Sequence, residues 1–121
     1  MSRRQIRKIA TQLNKFFTKY EITGIRMWFN GDMWDYPADR VRYGQPVKRI
    51  VTKNAKSKGS DYSEYANDET MTIIFEESLL YDILNYCVLP KLEDEFYQIF
   101  IDNGYYYELG NAWNLSLYEN W

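Results

Sequence analysis

The dipeptide Asn30-Gly31 is the feature that most constrains the fold, because it lies between two runs of residues typical of β-strands. Both residues tolerate the positive φ angles of a type I′ turn, which makes the dipeptide a strong signal for a β-hairpin. A two-residue loop fixes the register, so Trp28 is predicted to pair with Met33. One face of this hairpin is apolar and is the predicted core face, which holds Ile25, Met27, Phe29, Trp34 and Tyr36.

The opposite face of the hairpin carries Trp28 and Met33 beside a predicted ion pair between Arg26 and Asp35. A tryptophan on an outer face is unusual unless something covers it. We therefore expect Trp28 either to be covered by the segment of residues 53–69 or to anchor a protein interface.

The first helix separates an apolar stripe from a basic ridge. Ser2 and Gln5 stand at the spacing of a capping box, which predicts the helix start. Apolar residues recur at helical intervals and predict the face that packs on the core: Ile6, Ile9, Ala10, Leu13, Phe16, Phe17 and Tyr20. The other side carries the basic ridge, which comprises Arg4, Lys8, Lys15 and Lys19 with Arg3 and Arg7 at its flank. Such a ridge is either a solvated face or a contact for phosphates or an acidic partner.

Strand and loop signals alternate through the middle of the chain. Residues 40–43, 47–52 and 70–76 have the composition of short strands. Residues 53–69 lack large aliphatic side chains, which predicts a long, exposed and structureless loop.

Two helices are predicted in the C-terminal half. The first starts near Ser78 and places Leu79 and Cys87 on its inner face, so we expect Cys87 to be a buried thiol. The second has Pro90 in its first turn and stops at Asn103-Gly104.

A second hairpin closes the chain if Gly110-Asn111 is its two-residue loop. In that register Tyr106 shares a face with Trp113, Leu115 and Leu117. The other face is polar and rich in tyrosine, and it holds Tyr105, Tyr107, Asn114, Ser116 and Tyr118.

The order of these elements predicts a single α+β domain over residues 1–121. We expect an antiparallel sheet of about five to six strands, with the N-terminal helix and two central helices packed on it. A chain of 121 residues can build one hydrophobic core but not two. The apolar faces place six residues in that core: Leu13, Phe17, Phe75, Ile83, Phe96 and Leu115.

The residue types restrict the possible chemistry. The chain has no histidine, which removes Ser-His and Cys-His nucleophiles and His-ligated zinc. One cysteine cannot form an internal disulfide, and signal-peptide and membrane-span patterns are missing, so we expect a soluble cytoplasmic protein. Asp32, Asp35 and Asp39 are close in sequence, yet the register puts the first two on opposite faces, which disfavours a shared metal. We expect neither enzymatic activity nor a cofactor.

The two halves of the chain carry opposite charge. Residues 1–60 hold fourteen Lys and Arg against four acids, whereas residues 61–121 hold thirteen acids against Lys91 alone. Charge of one sign gathered on one surface attracts a partner of the other sign. The asymmetry therefore favours a recognition protein.

Two binding hypotheses follow from this charge layout. In the first, acids and tyrosines present a charge pattern like that of duplex phosphates to a nucleic-acid-binding protein. Its candidate residues are Asp61, Glu64, Asp94, Glu95, Tyr105, Tyr107, Tyr118 and Trp28. In the second, the chain binds nucleic acid or a nucleotide directly. Its candidate phosphate contacts are Arg3, Arg4, Arg7, Lys8, Lys15 and Lys19, and the strand region adds Arg40, Arg42, Lys48 and Arg49 beside Trp34, Tyr36 and Tyr43.

The composition and the acids of residues 61–69 and 93–95 resemble those of phage-encoded inhibitors of bacterial defence, anti-CRISPR proteins among them. Several of those inhibitors block the nucleic-acid channel of their target as DNA mimics. The resemblance implies an inhibitor whose target is a protein such as a CRISPR effector. The basic N-terminal half departs from a uniformly acidic mimic, which leaves open a nucleoprotein target whose RNA meets the basic ridge.

Overall fold

A computed structural model describes residues 3–38 and 46–120. In these residues, six strands form the sheet: β1 (Ile25–Phe29), β2 (Asp32–Tyr36), β3 (Ile50–Thr52), β4 (Met71–Ile74), β5 (Tyr105–Asn111) and β6 (Asn114–Glu119). Three α-helices accompany them: α1 (Arg3–Lys19), α2 (Leu79–Tyr86) and α3 (Pro90–Ile101). The predicted α+β class is confirmed. Ser2, Asp39 and the predicted strand at 40–43 lie outside the described residues.

The sheet is antiparallel throughout, in the order β3-β2-β1-β4-β6-β5. The first hairpin has the predicted register, with Trp28 opposite Met33. Asn30 and Gly31 have φ angles of 53° and 81°, as a type I′ turn requires. The central strands β1 and β4 pair with each other although β2, β3 and residues 53–69 lie between them in the chain.

The three helices cover one face of the sheet and enclose the core. The Phe17 ring meets the Tyr36 ring edge to face at 5.3 Å, and the Phe96 ring meets the Tyr107 ring at 5.5 Å. The six predicted core residues have no exposed surface and belong to one cluster: Leu13, Phe17, Phe75, Ile83, Phe96 and Leu115. Their assignment from sequence periodicity is confirmed.

Residues 53–69 cover the opposite face of the sheet. Most of them are exposed, as predicted, but the segment is ordered on the sheet and is not structureless. A short 3₁₀ helix, Gly59–Asp61, lies against β4. Gly59 is buried, and a side chain there would collide with Thr72. Polar hydrogen bonds and two tyrosines attach the segment to the sheet. Large aliphatic residues are therefore not needed to hold it there.

The C-terminal hairpin has a different register from the predicted one. Tyr106 pairs with Tyr118 and Tyr107 pairs with Leu117, which moves Tyr107 to the core face. The turn is centred on Ala112-Trp113, because the Asn111 Oδ1 accepts a hydrogen bond from the Trp113 backbone N–H at 2.9 Å. Gly110 is instead a bulge within β5.

Two further predictions, that Leu79 and Cys87 are buried, are wrong. Ser78 caps α2 as expected, since its Oγ accepts a hydrogen bond from the Leu80 backbone N–H at 3.1 Å. The helix ends at Tyr86, one residue earlier than a buried Cys87 needs, and Cys87 takes the left-handed conformation with φ of 51°. Cys87 and Leu79 are therefore exposed and are not core residues.

Candidate protein-binding surface

The first part of the segment 53–69 buries Trp28. The Trp28 indole Nε1 donates a hydrogen bond to the Ser57 Oγ at 3.1 Å, and the Tyr62 ring stacks on the indole at 5.2 Å. The Arg26 guanidinium lies 5.0 Å from the centre of the same Tyr62 ring. Only 6% of the Trp28 surface remains exposed, so the residue is covered in the way the first alternative predicts. The prediction that Trp28 binds a partner is therefore wrong, because a partner cannot reach the indole while the segment is in place.

The second part of the segment is held on β4 and β6 by side-chain hydrogen bonds. The Asn114 Nδ2 donates to the Ser63 Oγ at 2.5 Å, and the Ser116 Oγ donates to the Tyr65 carbonyl oxygen at 3.1 Å. The Asn67 Nδ2 donates to the Leu117 carbonyl oxygen at 2.9 Å. These bonds fix the backbone on both sides of Glu64, which places its carboxylate on an ordered part of the surface.

A concavity of about 370 Å³ opens where this segment meets β5 and β6. Its polar and aromatic lining, which we call the acidic surface, comprises Glu64, Tyr65, Glu108 and Tyr118. None of the described residues that line it carries a positive charge. Tyr65 is 49% exposed, and the Tyr118 ring lies 5.7 Å from the Tyr106 ring on the same face. Two carboxylates and two accessible phenols thus meet in one concave site.

Asp61 lies on the same covering segment but has a structural role. Its Oδ2 accepts a hydrogen bond from the Lys58 backbone N–H at 2.8 Å, which fixes the start of the 3₁₀ helix. Asp68 acts similarly, because its Oδ1 accepts from the Ser60 backbone N–H at 3.2 Å. Both side chains remain exposed.

Asp94 and Glu95 lie on α3, across the sheet from the acidic surface. Glu95 faces α1, where its Oε1 is 3.7 Å from the Lys19 Nζ and accepts a hydrogen bond from the Tyr20 hydroxyl at 3.0 Å. Asp94 is exposed. The structure therefore brings Glu64 and Tyr118 together but separates them from Asp94 and Glu95.

Tyr105 and Tyr107 point toward the helices because of the changed hairpin register, so their placement on a polar outer face is wrong. Tyr105 is 4% exposed. The Tyr107 ring packs against Phe100 at 5.2 Å and against Tyr97 at 5.9 Å. Burial raises the pKa of Tyr107 to about 12, and the nearby Glu93 carboxylate adds to this shift. Both tyrosines serve packing rather than recognition.

Five apolar residues of α2, α3 and the connection between them are exposed, which was not predicted from the sequence: Leu79, Tyr86, Val88, Leu89 and Tyr97. Pro90 was the sequence signal for a break between the two helices, since a helix rarely includes the residue before a proline.

The Glu93 carboxylate raises the pKa of the adjacent Cys87 thiol, which disfavours the reactive thiolate.

The basic ridge lies on the outer side of α1. Arg4, Lys8 and Lys15 are exposed, as predicted. Arg3 is engaged, because its Nη2 donates a hydrogen bond to the Asn30 carbonyl oxygen at 2.7 Å. A hydrogen bond with Tyr20 and the Glu95 carboxylate raise the pKa of Lys19.

Arg7 also approaches the sheet, with its guanidinium 5.7 Å from the centre of the Trp34 ring. No group of three or more acidic or cysteine side chains within residues 3–38 and 46–120 is arranged to hold a metal ion. Over the same residues, no helix has the length and apolar character needed to cross a membrane.

Comparison with known proteins gives no match: no family model, no curated protein and no solved structure is similar to this chain. Function must therefore be argued from the geometry of the chain alone.

Proposed function

We propose that this chain is a non-enzymatic binding protein that engages a basic, nucleic-acid-binding protein through the acidic surface. The observation that supports this proposal is the concavity shared by Glu64, Tyr65, Glu108 and Tyr118, which has no cation in its described lining. A concave site of one charge sign focuses its field and attracts a partner of opposite charge.

The chemistry of the acidic surface suits a protein partner. Tyrosine supplies contact area and a hydrogen-bonding hydroxyl at low entropic cost, and Tyr65 and Tyr118 stand beside the two carboxylates. The partner groups that complement this arrangement are arginines, which bind carboxylates with two parallel hydrogen bonds and stack on aromatic rings. Arginine-rich surfaces of this kind bind phosphates in nucleic-acid-binding proteins.

The action that follows from such binding is inhibition by competition for the partner's phosphate site. A CRISPR effector is the partner class that the resemblance to anti-CRISPR proteins implies, and the nucleic-acid channel of such an effector is positively charged. Glu64 lies on a segment that is fixed to the sheet, and Glu108 lies on strand β5 of the sheet. Binding therefore costs little conformational entropy beyond that of the two glutamate side chains.

Charge reversal of Glu64 and Glu108 together tests this proposal. The partner is first captured from nuclease-treated bacterial lysate and purified, and association is then followed at low ionic strength. We expect Glu64→Lys with Glu108→Lys to slow association by about tenfold or more, because long-range attraction steers encounter.

The matched control is Glu76→Lys with Glu77→Lys, which makes the same change in net charge. These two residues line a separate concavity beside Gly24 and Pro37. If both double variants slow association equally, only net charge matters and the acidic surface is not the site. Wild-type kinetics for the Glu64 and Glu108 variant, with its fold intact, would also exclude the proposal.

A second candidate function is direct binding of nucleic acid by the basic ridge. It is favoured by the exposure of Arg4, Lys8 and Lys15 along one side of α1. Contacts of this kind are independent of base sequence and weaken steeply as salt rises.

A mobility-shift assay tests this second candidate. If the basic ridge binds phosphates, wild-type protein shifts a mixed-sequence oligonucleotide at ~50 mM salt, and Arg4→Gln with Lys8→Gln and Lys15→Gln abolishes the shift. Absence of a shift at this low salt concentration would leave the basic ridge as a solvated face or a protein contact.

A further inference from the structure

A cleft of about 440 Å³ lies between α1 and the segment that leads into β3. Asn14 and Thr18 line it from α1, and Val47, Lys48, Arg49 and Val51 line it from the other side. Its described lining contains two cations and no acid. The volume falls within the range of small-molecule sites, about 300–1,000 Å³.

Arg49 is held in the cleft by stacking on an aromatic ring. Its guanidinium lies 4.4 Å from the centre of the Trp34 ring, which is 2% exposed. Arg7 approaches the same ring from α1 at 5.7 Å. Two guanidinium groups thus converge on one indole, which raises the local positive potential and fixes the plane of Arg49.

Buried donors around this ring lack acceptors. The Arg49 Nε and the Trp34 Nε1 are both inaccessible to solvent, and neither has a hydrogen-bonding partner among the described residues. An unsatisfied buried donor is destabilising, and more so when the group is charged, so native proteins rarely retain one without a reason. Stacking accounts for the position of Arg49 but does not supply an acceptor for its Nε–H.

The remaining lining is also suited to an anion. The Tyr36 hydroxyl donates a hydrogen bond to the Asn14 Oδ1 at 2.6 Å. This bond orients the Asn14 amide, so its Nδ2 is the atom that can donate to a ligand. Burial raises the pKa of Tyr36 and the Arg49 charge opposes that rise, so Tyr36 stays neutral beside the cations at physiological pH. Lys48 is exposed at the rim, where it can attract an anion from solution.

We infer that this cleft is a phosphate-binding site in which Arg49 and Lys48 bind the oxyanion and Asn14 donates a further hydrogen bond. A phosphate dianion matches two cations in charge, and its tetrahedral oxygens accept from several donors at once. The site is separate from the acidic surface, so it does not depend on the proposed protein partner. The phosphate is supplied either by a free phosphate compound or by a nucleic-acid strand.

Nuclear magnetic resonance of the tryptophan indole N–H groups tests this inference on the full chain. Trp34→Phe identifies the Trp34 resonance, and the wild-type protein is then titrated in separate experiments with inorganic phosphate, pyrophosphate and a short single-stranded oligonucleotide. We expect a saturable shift of the Trp34 resonance, because the anion binds the guanidinium stacked on that ring. Arg49→Gln should weaken binding about 10- to 100-fold, the equivalent of a charged hydrogen bond of about 1.5–3 kcal/mol.

Two further variants keep the experiment decisive. Lys48→Gln is the second test of the cleft, since this exposed residue can be replaced without disturbing the core, and it should also weaken binding. Lys91→Gln is the matched control, since it removes one exposed positive charge on α3, outside the cleft, and it should leave binding unchanged. A shift with the small anions identifies a free phosphate compound as ligand, and a shift with the oligonucleotide alone identifies a strand.

The inference fails if none of the three probes shifts the Trp34 resonance. It also fails if Arg49→Gln and Lys48→Gln bind as tightly as the wild type, or if Lys91→Gln weakens binding as much as they do. The last result would show that binding depends on net charge and not on the cleft.

Discussion

Leu13→Ala is expected to lower the free energy of unfolding by about 2–5 kcal/mol. Leu13 lies in the middle of the apolar face of α1 and has no exposed surface. Removing its side chain leaves a cavity that surrounding aromatic residues such as Phe17 and Phe96 fill only in part, because their rings already pack on each other. Urea denaturation followed by circular dichroism measures the change.

Leu79→Ala is the matched control for this prediction. Leu79 is 42% exposed at the start of α2, so the same chemical change should cost less than about 1 kcal/mol. Equal losses for the two variants would mean that α1 does not pack on the sheet through the face that contains Leu13.

Trp28→Ala is expected to destabilise the fold by about 3–5 kcal/mol and to free the covering segment. The indole forms both the stacked pair with Tyr62 and the hydrogen bond with Ser57, so its removal takes away two of the attachments of residues 53–62 to the hairpin. Thermal unfolding measures the loss of stability. Limited proteolysis should show faster cleavage within the segment, because a released loop exposes its backbone.

Trp113→Ala controls for the general effect of removing a tryptophan. Trp113 is half-buried in the β5–β6 turn and should show a clearly smaller loss of stability without faster cleavage of residues 53–62. If Trp28→Ala keeps wild-type stability and protease resistance, the segment does not cover the sheet as described, and Trp28 returns as a candidate interface residue.

The first hairpin was predictable because its information is local. Asn30 and Gly31 favour one turn type, and that turn fixes the register of both strands. The starts of α2 and α3 were predictable for the same reason: Ser78 caps α2, and Pro90 begins α3. Each of these signals acts within a few residues and meets no strong competing contact.

The C-terminal hairpin was not predictable in the same way, because a distant contact decides its register. Gly110-Asn111 has the composition of a turn, yet a side chain at Gly110 would collide with Tyr65, far away in sequence. Glycine is required there for the close approach of the covering segment, and the turn moves to Ala112-Trp113. The one-residue bulge then exchanges the faces that Tyr106 and Tyr107 occupy.

The candidate site was only partly predictable from residue types. Glu64 and Tyr118 were identified from charge and composition, but their meeting depends on the order of strands, which requires the pairing of β4 with β6. Sequence gave no sign that Asp94 lies across the sheet from them. Charge asymmetry along a chain therefore does not establish a single charged surface, since neighbouring acids can fold onto opposite faces.

A binding footprint tests the proposed acidic surface most directly. The isotopically labelled protein is titrated with the partner purified from nuclease-treated lysate, and backbone amide resonances are compared between the free and bound states. We expect the changes to concentrate in residues 61–69, 105–111 and 114–119, around Glu64 and Glu108. Changes confined to α1, with none around the acidic surface, would contradict the proposed function.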